Sequence, residues 1–122
     1  MIVYRVENHK GYGPYDESLW NSNDLDCIRI KYKDMLWHHD RSRQHPATYL
    51  DGLRTGDTRR HGFASIEDYL AWFDLKWRLG MAMSGFALST YDVPKVEVGR
   101  SGKQVVFKMK EAEFVKCQPL IF

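Results

Sequence analysis

An α+β fold is what the sequence predicts, on three observations. A β-rich run opens the chain at Ile2 to Val6, a helix-period segment follows Ser65, and alternating runs flank a glycine-bounded loop near Gly99. The architecture expected from them is a small split antiparallel β-sheet core with one main helix. Ile2 to Val6 is broken by Asn8 and then by Gly11-Tyr12-Gly13-Pro14, so it reads as a first strand followed by a glycine-rich turn. Cys27 to Tyr32 fits a strand or a helical turn, and Met35 to His39 is equally divided. From Asp40 to Gly62 periodicity fails and turn formers dominate, which predicts an irregular segment over about 40–62. Segments of that length in compact domains are usually functional or mobile.

Ser65 begins the clearest element. Serine is a good N-cap, and Asp68 places a carboxylate in the positive first turn. Ile66, Tyr69, Leu70, Phe73 and Trp77 then follow helical spacing, and Gly80 or Gly85 ends the helix. Phe86 to Val93 alternates and closes before Pro94, as a strand does. Val96 to Val98 and Gln104 to Met109 flank Gly99-Arg100-Ser101-Gly102, the pattern of a hairpin, and Phe114 to Cys117 adds a last short strand.

At 122 residues the chain suits one domain over 1–122. Its 43% hydrophobic and 14% aromatic content offsets the ordering entropy and excludes a disordered chain. Cys27 and Cys117 match no metal or redox spacing. The opening Met-Ile-Val-Tyr-Arg-Val-Glu is not a signal peptide, and no run approaches the roughly 18 apolar residues of a membrane span. A cytoplasmic protein without a membrane partner is expected.

The formal charge is only +2, but its distribution is uneven. Arg29, Lys31, Lys33, Arg41, Arg43, Arg54, Arg59 and Arg60 lie between positions 29 and 61, against Asp34, Asp40, Asp51 and Asp57. His38, His39, His45 and His61 share the segment. Basic groups interleaved with Tyr32 and Trp37 are able to hold nucleic acid through phosphate contacts and stacking, or to form a solvated face. The histidines invite a zinc reading, but adjacent histidines point apart in a strand and rarely share one ion, so no metal is expected. His45 and Asp51 fit polar lining for a pocket, or solvated loop positions.

Three further places suggest a ligand. Arg5 within the first strand would grip a diphosphate if its guanidinium projected into a cleft; otherwise it faces solvent. Gly11 to Tyr15 combines glycines that allow close backbone approach with the stacking faces of Tyr12 and Tyr15, or is a turn with aromatic packing. Ser65 caps its helix, and the same helix terminus offers amides to an anion.

Taken in order, these pieces resemble the mono-ADP-ribosyltransferase fold, over most of the chain except 16–60. Tyr4-Arg5-Val6 is similar to that family's first strand, Phe63-Ala64-Ser65 to its serine motif before a helix, and Tyr91-Asp92-Val93-Pro94 to a strand ending in Val-Pro. Gln104-Val105-Val106-Phe107, then Ala112-Glu113-Phe114-Val115, resembles its late strands. The resemblance implies NAD as cofactor, with Arg5 on the diphosphate and Ser65 on the nicotinamide ribose. Tyr12 and Tyr15 would flank the ring and Gln104 would contact a ribose hydroxyl. It further implies transfer of ADP-ribose to a protein or nucleic-acid acceptor. One departure stands out: Val106 occupies the place of the catalytic glutamate, which leaves Glu97 on the partner strand as the nearest substitute acid. A glutamine bonds a hydroxyl but supplies no negative charge to an oxocarbenium-like transition state.

Two other functions fit the residues. One is a non-catalytic phage or mobile-element accessory protein that binds and inhibits a host protein, since aromatic and arginine anchors suit such interfaces. The other is a nucleic-acid-binding domain working through 29–61.

Overall fold

The computed structural model describes residues 1–15, 48–54 and 58–122. The possible elements at Cys27 to Tyr32 and Met35 to His39 lie outside the described residues. Along the chain come β1 (Ile2–Glu7), a 3-10 turn (Thr48–Asp51), β2 (Arg59–Gly62), α1 (Ile66–Trp72) and α2 (Leu75–Met83). They are followed by β3 (Ala87–Asp92), β4 (Glu97–Val98), β5 (Val105–Lys108), a second 3-10 turn (Met109–Glu111) and β6 (Glu113–Gln118). The fold is α+β with two antiparallel sheets. The first has the order β1-β3-β6 and the second β2-β5-β4.

β1 is buried along most of its length because both faces of the strand are covered. Period-two alternation sends Tyr4 and Val6 to one face and Val3 to the other. On the first face Val6, Leu88 and Tyr4 pack with Phe63, Tyr69, Trp72, Phe73 and Met81 from the helical side. On the second face Val3, Tyr91 and Val93 pack with Val105 and Phe107 of the other sheet. Burying each large side chain in these cores stabilises by about 1.5–3 kcal/mol. The first core also fixes the tail: the Tyr69 hydroxyl donates to the Leu120 carbonyl at 2.7 Å, and its burial pushes the phenol pKa up.

The expected single helix from Ser65 is two helices. Ser65 Oγ accepts from the Asp68 amide at 3.0 Å, as the sequence predicts. The helix then stops where Phe73 turns extended, and Asp74 caps a new one by accepting from the Trp77 amide at 3.1 Å. An aspartate able to satisfy orphan amides can start a helix inside an apparently continuous pattern. Gly80 lies within α2, and the end comes at Gly85, where Gly85 N–H donates to Ala82 O and Phe86 N–H to Met81 O. That pair of bonds is the Schellman closure.

β2 falls where an irregular segment was expected. Arg59-Arg60-His61-Gly62 has no apolar alternation of its own, and it is strand because Lys108, Phe107, Val106 and Val105 pair with it in register. Immediately after it, Phe63 exchanges two backbone bonds with Tyr4, at 2.8 and 2.7 Å, and so joins the two sheets. A Cβ on Gly62 would sit 2.7 Å from both the Tyr4 carbonyl oxygen and Val3 Cγ1. Alanine in a strand regains about 0.5–1 kcal/mol of backbone entropy relative to glycine. The clash here is with backbone and costs more. Gly62→Ala is therefore expected to destabilise by about 1–3 kcal/mol, read as a lower urea midpoint at unchanged slope.

Candidate functional site

A buried polar cluster forms around Arg5, on the β1 face that meets the second sheet. Arg5 and Glu7 are two residues apart on one strand and so share a face. Arg5 is 2% exposed, and its Nε donates to Glu7 Oε2 at 3.0 Å. Its Nη1 donates to the His61 carbonyl at 2.9 Å and its Nη2 to the Gly11 carbonyl at 3.0 Å. The other Glu7 oxygen accepts from the Tyr91 hydroxyl. Burial lowers the Arg5 pKa from its ordinary value, and the Glu7 carboxylate opposes that shift. Burial also raises the Tyr91 phenol, and its hydrogen bond to Glu7 raises it further.

The turn after β1 closes this cluster. Asn8 Oδ1 accepts from the Lys10 and Tyr12 amides, each at 3.0 Å, which aims the Gly11 carbonyl at Arg5. Tyr15 stacks on the His61 ring at 6.1 Å between centroids and accepts from Trp72 Nε1 at 3.1 Å. Burial, helped by the Arg5 cation, pushes the His61 imidazole down to about 3. The ring is thus neutral at physiological pH.

A second cluster holds the β4–β5 loop. Asp51 Oδ1 accepts from the Ser101 amide at 2.7 Å, and Oδ2 accepts from Ser101 Oγ at 2.8 Å and Gln104 Nε2 at 3.2 Å. A Cβ on Gly99 would lie 2.0 Å from Asp51 Oδ2, so only glycine lets the loop approach the carboxylate this closely. Asp51 is thereby a buried clamp between the Thr48–Asp51 turn and the hairpin.

The predicted ligand residues are engaged elsewhere. Arg5 neither faces solvent nor projects into a cleft: each guanidinium nitrogen is bound within the protein. Tyr12 and Tyr15 are partly buried against the first core. Ser65 caps α1, and Gln104 and Asp51 bind one another. Glu97, the substitute acid, is exposed on β4 and paired with Arg59 at 3.0 Å. His45 lies outside the described residues, as do Arg29 to Arg43 of the basic segment. Among the described residues no group of three His, Cys, Asp or Glu is placed to hold a metal ion, and no helix is long and apolar enough to cross a membrane. Glu7 and Tyr91 were missed, although the two-residue spacing of Arg5 and Glu7 signals a shared face.

What the fold and its polar clusters define is a small α+β protein with hydrogen-bonded charged groups in its interior. The chain belongs to the Bacteriophage T4 Y00F protein family, whose model matches residues 1–121. A relative in Enterobacteria phage T4, an uncharacterized 19.7 kDa protein of the motB–dexA intergenic region, is 41% identical over 51 residues. That stretch is 42% of this chain and 31% of the relative, so the match spans about a third of the relative's length. No solved structure matches. The family match overturns the ADP-ribosyltransferase resemblance, which rested on the order of short segments.

Removing one partner of a buried ion pair costs about 3–5 kcal/mol, because the remaining charge is left desolvated. Glu7→Ala is expected to lose that much in equilibrium urea unfolding. The His61 shift has its own pH signature. With a folded value near 3 and an ordinary value of 6.5, the unfolded chain takes up this proton first as pH falls. His61 therefore makes stability decline between pH 6.5 and 3, by up to about tenfold in the unfolding equilibrium per pH unit. His61→Gln is expected to flatten that part of a urea-midpoint profile against pH.

Proposed function

We propose that this is a non-catalytic phage accessory protein that acts by binding another protein. The single observation supporting that function is β6. Five of its six residues are exposed, on both faces of the strand, and no described strand pairs with its outer edge. Phe114 is 56% and Val115 51% exposed, and the following Ile121 and Phe122 are exposed as well. Large apolar side chains exposed on both faces of an open edge strand suit a partner that adds an extended segment through main-chain hydrogen bonds. The phage family fits an accessory role. The interior supports the same conclusion, since Arg5, Glu7, Asp51 and Gln104 hydrogen-bond one another or nearby groups of the protein.

The test is retention of a partner by the tagged full chain from a phage-infected bacterial lysate. One stoichiometric protein is expected, with at least tenfold weaker retention by Phe114→Asp/Val115→Asp. Phe114 also packs edge-on against Tyr91, so that variant is expected to stay folded with a thermal midpoint lower by several degrees. Leu75→Asp, at an exposed apolar position of α2, is expected to retain the partner. No retained protein, equal retention by the β6 variant, or loss with Leu75→Asp alone would each reject the proposal.

A further inference from the structure

We infer that the second sheet carries an anion-receiving hollow, which takes an acidic side chain of the bound protein. Arg59, Lys95, Glu97, Val106, Lys108 and Glu111 line a hollow of about 110 Å³, room for one carboxylate-sized group. Register shows why it is electrostatically unsatisfied. Arg59 and Lys108 are direct partners across β2 and β5, and like charges in that relation repel. Glu97, opposite Val106 on β4, reaches across β5 and neutralises Arg59 at 3.0 Å. Neither Lys108 nor Lys95 forms an ion pair among the described residues.

The residual positive charge lies on the face of β5 opposite Val105 and Phe107, which belong to the second core, while buried Val106 forms an apolar floor. The lining thus sets three cations against two carboxylates, with Lys95 and Lys108 ion-paired to neither, and such departures from local consistency concentrate at functional sites. An incoming carboxylate between Lys95 and Lys108 would relieve the repulsion. A nucleic-acid strand fits less well: the hollow has room for one compact anion, and no exposed ring lies there for a base to stack on.

The inference rests on the protein-binding function proposed above, and titration of the isolated full chain separates the two. Amide resonances are followed while hexaglutamate peptide is added, in parallel with hexaglutamine and with a single-stranded oligonucleotide. Hexaglutamate is expected to shift residues 59, 95–97 and 106–111, with at least tenfold weaker binding to Lys95→Glu/Lys108→Glu and no comparable effect from hexaglutamine. Absent shifts, equal shifts with hexaglutamine, insensitivity to charge reversal, or tighter binding of the oligonucleotide would each overturn it. A lysate partner retained without any effect of hexaglutamate rejects the hollow alone. Hexaglutamate binding at the hollow, with no partner retained, supports the anion site and rejects the protein-binding function instead.

Discussion

The buried Arg5–Glu7 pair is the constraint on which the rest of this structure depends. A guanidinium taken out of water is tolerated only if its donors are satisfied, and here three separate segments satisfy them. Glu7 lies on the same strand, Gly11 in the following turn, and His61 on a strand more than fifty residues away. The turn after β1 and the course of β2 therefore cannot vary independently. β2 held at that distance brings Phe63 alongside Tyr4, and the two sheets become one continuous hydrogen-bonded system.

Much of the framework was legible because it rests on local rules. The strands at β1, β3 and β5 follow apolar runs, the hairpin follows its glycine-bounded loop, and the first helix begins at its capping serine. What escaped notice depends on partners. Arg59-Arg60-His61-Gly62 carries no strand signal, and only pairing with β5 makes it one. Helical spacing continues from Tyr69 to Trp77, while Asp74 breaks the helix beneath it. The site residues were harder still. Sequence left Arg5 either gripping a ligand or facing water, and the structure does neither, because Glu7 and two carbonyls wait on the inner face.

The same contrast explains why a motif-based comparison misled. Arginine on a first strand, serine before a helix and glutamine on a late strand occur wherever a strand face is polar, a helix needs a cap or a loop needs an anchor. Here each is accounted for by such a structural contact. Fold-level analogy does not transfer function unless the side chains meet around a ligand. The surface differs in character: β6 exposes Phe114 and Val115, and Lys95 and Lys108 stand without an ion pair among the described residues.

The strand order has a consequence for how the chain is made. Ile2 pairs with Asp92, and the β3 that receives β1 pairs in turn with Phe114 and Cys117. Because synthesis runs from the amino terminus, β1 emerges from the ribosome long before β3, its neighbour in the sheet, exists. Long-range pairings of this kind slow folding and leave a nascent apolar strand open to mispairing. Arg5 and Glu7 place two charges in the middle and at the end of that strand, and Tyr91 of β3 completes the polar cluster that buries them.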